Sequence, residues 1–559
     1  MTDPRPVAPF PRPAPAATPG PLDDRLYDLV ETRFVRLVRD NPVFATAVGL
    51  HQDDDLLGDG GRDALLGELA DEREHLAAVE AIDPAGLSSE ASFERDLELH
   101  NVRRAIFDHA ELRIWERRSF ALDHVGDGLF LLFARDHAAL PERLDAIAGR
   151  LEAIATYLEE AKTRATVPQV RRWQQVEIDT ASELPTFFDE IVAAGEGVLP
   201  AQEQRRLTRA SESAKMAIDL YSTWLDGTLE HGTDDWAIGR ERHDAMVALR
   251  AFDGLDADAI LELGWQRLAE AREARAAAAR EIDPDAAEAT VIDAVKNDQP
   301  ASFEAALDAY RDAMLRARAH LVEHDLVTVP ADERIDVIAT PEYLRNVIPF
   351  AAYFEPAAFD KDPKGIYIVT PAVDDNPTAM REHNVAGISN TSIHEAYPGH
   401  HLQLDTARRN GPLTRLLADA PEFVEGWGMY SELMMREHGF DDGPAFRVIM
   451  HTDAVWRACR IILDVRLHRG EISAEEATDF LVDQTNFERP NAAAEVSWYT
   501  YRPTYPLSYL LGRTLLLGLR DDEQRRLGDQ FSLKEFHDTL LRNGSLPISF
   551  HRRLMSAGS

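Results

Sequence analysis

With one cysteine in 559 residues, Cys459, the chain can form no intrachain disulfide. Cys459 stands in Val455-Trp456-Arg457-Ala458-Cys459-Arg460-Ile461, where a buried structural thiol is expected. No run of about 18 apolar residues occurs, so no membrane span is expected. Residues 1–21 are rich in Pro and Ala, with Arg5 and Arg12 but no apolar core of a secretory signal. That stretch is expected to be disordered, and the protein to be cytoplasmic. Basic residues are scarce: 60 Lys and Arg against 98 Asp and Glu give a formal charge of −38. Such a balance argues against nucleic acid and against an anionic membrane as partners. What remains, at 45% hydrophobic residues, is ordinary globular composition in a chain long enough to bury a large core.

Helical periodicity dominates. Leu26, Leu29, Val30, Phe34, Leu37 and Val38 recur at helical spacing within Leu22–Val48. Arg143–Ala165, Gln202–Leu229, Asp256–Ile282 and Ser302–Glu323 read the same way. Asp283-Pro284-Asp285 and Gln299-Pro300 are loops. Ser473 with Glu476, and Ser532 with Glu535, are capping boxes that start later helices. Two short β-rich runs, Ile335–Ile338 and Gly365–Thr370, predict a small sheet just before residue 394. The expectation is a disordered tail over 1–21, a helical region over 22–325, and a catalytic region over 326–559 with the sheet and further helices.

The most informative stretch is His394-Glu395-Ala396-Tyr397-Pro398-Gly399-His400-His401. Zinc peptidases use imidazoles to hold the metal and an adjacent carboxylate to take a proton from water. Their usual motif is H-E-x-x-H, which puts both histidines on one helical face. Pro398 breaks that spacing. On an unbroken helix His400 lies about 120° from His394, and His401 about 10 Å further along the axis. Proline removes a helical hydrogen bond, and glycine accepts almost any path. A bulge at Pro398-Gly399 that absorbs two residues would bring His400 into the second ligand position. His400 is the preferred ligand and His401 the alternative.

A third ligand should follow. Glu425, Met429 and Glu432 share one helical face among Phe423, Val424, Trp427 and Leu433. A carboxylate in apolar surroundings is costly unless paired or metal-bound, which makes Glu425 the candidate ligand. A solvent-facing Glu on an amphipathic helix is the plain alternative. Glu432 suits a partner that orients a ligating histidine.

These motifs resemble the bacterial family known as domain of unknown function 885. Its members carry H-E-x-x-P-G-H-H-L-Q, here His394–Gln403, and E-G-W-x-x-Y-x-E, here Glu425–Glu432. They also carry F-H-x-x-L-L-x-x-G-S-L-P, here Phe536–Pro547. The stretch from Arg457 resembles R-x-x-R-x-x-x-D-x-x-x-H, and Glu495, Tyr499, Pro503, Tyr509 and Gly512 match a further pattern. The resemblance runs from about residue 25 to 555 and implies a mainly α-helical fold of the gluzincin type, with a small sheet beside the metal helix. It implies zinc held by His394, His400 and Glu425, with Glu395 as general base. Tyr499, Tyr509 and His468 fall at matched positions and are candidate donors to an oxyanion; the plain alternatives are a core aromatic for Tyr509 and a brace at a helix C-terminus for His468. Tyr397 and His401 lie close enough in sequence to line the cleft. Four positions depart from the family: Arg466 and Trp498 replace a common Gly and Arg, and Thr504-Tyr505 replaces Gly-Gln.

The expected function is a zinc-dependent metallohydrolase cleaving peptides. A hydrolase of non-peptide amides or esters, or a non-catalytic metal-binding scaffold, are the other classes. Intact Glu395 argues against the scaffold, which needs no base. In gluzincins an edge strand holds the substrate backbone. Gly365–Thr370 is the candidate, with mere coverage of the helix as the alternative.

Overall fold

The computed structural model describes residues 10–12, 16, 18–345, 348, 350–372, 377–485 and 487–557. Most of the tail expected to be disordered lies outside the described residues. Within it, Phe10 packs edge-on against Phe34 and Phe359, and Arg12 pairs with Asp28 and Glu31.

The protein is mainly helical, with one small three-stranded sheet. Helices form where the periodicity predicts them: Leu140–Lys162, Ala201–Leu229, Ala257–Ile282 and Phe303–Glu323. Asp256 and Ser302 cap the last two, each accepting from a backbone N–H three residues on. The first predicted helix divides into Asp23–Asp40 and Pro42–Val48. Pro42 cannot donate to the preceding turn, and the Asn41 side chain restarts the ladder by accepting from Phe44 N. Ser473 and Glu476 form the reciprocal box, with Glu476 N on Ser473 Oγ at 3.2 Å and Ser473 N on Glu476 Oε2 at 2.9 Å. No helix among the described residues is long and apolar enough to cross a membrane.

The sheet comprises β1 (Ile335–Ala339), β2 (Ala351–Phe354) and β3 (Gly365–Val369), in the order β1-β3-β2. β3 runs parallel to β1 and antiparallel to β2. Alternate residues of a strand face opposite sides, and β3 is buried on both. Tyr367 and Val369 join a large core that runs from Val247 to Met555. Ile366 and Ile368 join a second core built from residues 43–225 and Leu344. The central strand therefore stitches two helical layers together. This corrects the expectation that Gly365–Thr370 is a free edge. Both sides of β3 are hydrogen-bonded to strands, so it has no ladder to offer a substrate. The edges are β1, which the sequence predicted, and β2, which it did not reveal.

Candidate metal centre

Asn384 caps the helix Val385–Glu395, its side chain accepting from Gly387 N at 2.8 Å. The helix stops at Glu395, and a new one begins at His400. The expectation of a bulge within one helix is thus replaced by a break. Gly399 N reaches back to Ile393 O at 3.0 Å, and Leu402 N to Ala396 O at 3.3 Å. Each bond spans six residues instead of four, so the break absorbs the two inserted residues. Gly399 is obligatory here, because a Cβ would lie 1.8 Å from His394 O. Trp427 Nε1 donates to Pro398 O at 2.7 Å and holds the break against the following helix.

His394, His400 and Glu425 converge, with one ligand atom from each within 4.8 Å of the others. His400 Nε2 lies 3.4 Å and His394 Nε2 3.6 Å from Glu425 Oε2. Atoms held about 2.0–2.1 Å from one zinc at tetrahedral angles are about 3.3–3.4 Å apart, so the donor set fits zinc. The two imidazole planes stand at 87°, which lets one ion lie in both. His394 Nδ1 pairs with Glu432 Oε1 at 2.7 Å, as expected of the orienting carboxylate. Burial opposes protonation of His394, but Glu425 and Glu432 outweigh it and hold its pKa up at about 10. Burial would raise Glu425, yet the two histidines hold it well below the usual carboxylate range. The cluster therefore concentrates negative charge where a cation belongs. Glu395 is partly buried, and burial raises its pKa despite His400 and His394.

The helix Pro421–Glu437 carries Glu425 and Glu432 on the face turned to this break. Its glycines explain the E-G-W-G wording of the sequence. Gly426 meets Gly512 of the helix Ser508–Leu527, where a Cβ would come within 2.6 Å of Gly512 Cα. A Cβ on Gly428 would fall 2.6–2.9 Å from three atoms of the His394 ring. Gly428→Ala should push that imidazole aside. Zinc affinity is expected to fall about 10–100-fold, the usual loss when a ligand's support is disturbed, with the helical circular dichroism unchanged. Chelator competition would measure it.

His401 turns away from the cluster. It is fully buried and bonds Tyr353 Oη at 2.8 Å and Glu333 Oε2 at 3.0 Å. Tyr397 donates to the same Glu333 carboxylate and so belongs to that network. The three oxyanion candidates separate. Tyr509 is partly buried, and burial followed by the charge of Glu425 raises its pKa, so it stays a neutral donor near the cluster. The Tyr499 hydroxyl is committed to Glu495 at 2.6 Å and to Arg460 at 3.2 Å. His468 Nε2 pairs with the Tyr499 carbonyl at 3.0 Å. It ends the helix Pro444–His468, about 16 Å along the axis beyond Arg457. Its geometry is that of a helix-end brace, not of an oxyanion donor. Burial lowers its pKa to about 4, so it is neutral there.

Tyr505 is the site residue whose role sequence reasoning missed. Its hydroxyl donates to Glu425 Oε1 at 2.8 Å. The signal was its place at a departure from the family pattern. Its neighbour in that departure, Thr504, sits at φ +63°, the left-handed region that a glycine adopts freely. Thr504 is held there by Asp464, which accepts from its N–H at 2.9 Å, and by Arg250, which donates to its carbonyl. The C-terminal motif braces the centre from behind. His537 joins Tyr430 Oη to the Leu326 carbonyl, and Gln403 donates to Ser545 Oγ at 3.0 Å.

A second group, His51, Asp54 and His137, also brings three ligand atoms together. Its imidazoles are stacked 3.8 Å apart and parallel within 2°, so no single ion can lie in both ring planes. It is an ion-pair staple instead. Burial works against His51, but Asp360 and Asp54 raise its pKa to about 9.

The model of the family described as "Bacterial protein of unknown function (DUF885)" matches residues 42–555. The chain belongs to this family. Two solved structures share its fold. One is from Shewanella oneidensis, described as a "putative lipoprotein of unknown function", with a TM-score of 0.76 and 20% identity, over 95% of this chain and 99% of that one. Another, a "putative lipoprotein" from Colwellia psychrerythraea, has a TM-score of 0.81 and 18% identity, over 96% and 99%. No curated protein matches the sequence.

Proposed function

We propose that this family member is a zinc-dependent metallohydrolase of gluzincin-like design that cleaves peptides. The convergence of His394, His400 and Glu425 beside Glu395 carries the reading. Bound there, zinc would supply a Lewis acid and bring the pKa of a coordinated water towards neutrality. Glu395, next to a ligand in sequence yet outside the ligand set, accepts the proton of the attacking water and returns it to the leaving amine. Glu432 and Tyr505 hold His394 and Glu425 in their ligating orientations. Tyr509 donates to the developing oxyanion. β2, an edge strand, takes over the role first given to Gly365–Thr370 and receives the peptide backbone.

The proposed partner is a peptide substrate, drawn from the metal-site reading; the charge of −38 argues against nucleic acid and an anionic membrane. The cytoplasm is the proposed compartment, and cell fractionation tests it. Metal analysis of the purified protein, then a mixed peptide library read by mass spectrometry, tests the function. About one zinc per chain with new peptide termini is the expected result. Zinc binding without cleavage of any peptide, amide or ester would leave a metal-binding scaffold instead.

A further inference from the structure

The turn between the helices Arg489–Tyr501 and Ser508–Leu527 carries Tyr505, whose hydroxyl meets Glu425. The residue before it, Thr504, is fully buried at a positive φ. A β-branched residue in that region costs about 1–3 kcal/mol and persists only where its surroundings over-determine it. Those surroundings converge on Arg250, the last residue of the helix Arg240–Arg250. Its Nη1 donates to the Thr504 carbonyl and, at 3.0 Å, to Thr504 Oγ1. Its Nη2 donates to Glu422 Oε2 at 2.7 Å and to Ser508 Oγ at 3.1 Å. From the other side Asp464 Oδ2 accepts from Thr504 N at 2.9 Å. Asp464 Oδ1 is paired at 2.9 Å with His243, on the same helix as Arg250.

One guanidinium thus ties together the elements that meet at the proposed third ligand. Glu422 lies three residues before Glu425, on the same helix and one turn away. Ser508 opens the helix whose Gly512 packs on Gly426. Thr504 is the residue that aims Tyr505. A buried arginine needs a paired charge, and Glu422, itself buried, meets that need. Charge pairing does not account for the rest of the fork, which is spent on the turn and on the helix after it. Nor does it account for a strained threonine beside Tyr505. Arg250 makes no hydrogen bond to Glu425 among the described residues, so its route to that carboxylate runs through the Tyr505 hydroxyl.

We propose that Arg250 is a positioning residue for the metal centre. By fixing the Thr504-Tyr505 turn it keeps the Tyr505 hydroxyl on Glu425 Oε1 and leaves Oε2 turned to His394 and His400. This rests on the metal-site reading above. The test is a double-mutant cycle on zinc affinity, measured by chelator competition with no peptide present. Tyr505→Phe removes only the hydroxyl and should weaken zinc binding about 10–100-fold. Arg250→Lys keeps a charge for Glu422 but cannot fork to the turn, and should weaken it about 10-fold. In the Tyr505→Phe background Arg250→Lys should cost nothing further, because its route to the metal is gone. Asp464→Asn is nearly isosteric and loosens the same turn from the other side. It should cost about 3-fold, since an amide accepts more weakly than a carboxylate, and that loss should also vanish with Tyr505→Phe. Melts of the metal-free variants report their fold, and Asp464→Asn carries the test if Arg250→Lys does not fold. Cobalt(II) in place of zinc adds a spectroscopic reading of ligand geometry. Arg250→Lys should alter its visible absorption as Tyr505→Phe does. Losses that multiply in the double variant would make Arg250 a general brace of the fold and overturn the proposal. So would a zinc affinity that Arg250→Lys leaves unchanged. A parent protein that binds no zinc would remove the metal reading and this proposal together. Stoichiometric zinc with multiplying losses removes this proposal alone.

Discussion

Glu395→Gln should retain one zinc per chain and lose peptide hydrolysis by at least about 10²–10⁴-fold, the usual worth of a general base. The substitution is nearly isosteric, and the amide cannot take a proton from water. The structure makes the variant informative because Glu395 is outside the converging set of His394, His400 and Glu425. Its carboxyl is partly buried and raised by that burial, a setting that suits proton transfer better than ion pairing. The loss should exceed the base's share alone, since one group both accepts and returns the proton. Metal analysis and a kinetic assay on one preparation give the answer. Loss of zinc together with activity would make Glu395 a ligand and dissolve the proposed division of roles.

The sequence announced this centre because two histidines and two carboxylates at informative spacings carry their own chemistry. Proline and glycine between the histidines also announced a local irregularity. They did not announce its form. A bulge and a break both absorb two residues, and the choice depends on Trp427 reaching the Pro398 carbonyl from another helix. Gly428 was illegible for the same reason. Its importance is the His394 ring in front of it, a contact between residues far apart in the chain. Tyr505 stood out only as a departure from a family pattern.

Long helices were read well where an apolar stripe and a capping residue agreed, as at Asp256 and Ser302. The sheet was half legible. The β-branched runs gave β1 and β3, while the two alanines of β2 carry little strand preference. Strand order was beyond reach, because pairing is nonlocal. The same limit left His468 open between an oxyanion donor and a helix-end brace. Matching a motif says that a residue matters, but only packing shows that its imidazole bonds the Tyr499 carbonyl at a helix end.

Opposite fates are expected for the adjacent histidines. His400→Ala should abolish stoichiometric zinc, and His401→Ala should keep it. His400 offers Nε2 at 3.4 Å from Glu425 Oε2, while its Nδ1 is buried with no partner among the described residues. Removing one of three protein ligands should cost more than the roughly 10–100-fold typical of an orienting partner. The apo variant should fold, because His400 makes no other side-chain bond on which the helix break depends among those described. His401 is the reverse case. Both its ring nitrogens are spent on Tyr353 and Glu333, and it has no exposed surface. Its loss leaves the Glu333 carboxylate short of a buried partner, at a cost of about 1–3 kcal/mol in stability. Thermal melts and zinc titrations on the two variants separate these outcomes. A His401→Ala protein that melts like the parent but holds no zinc would exchange the two roles. The helix break at Pro398 would then have to open differently from the path seen here.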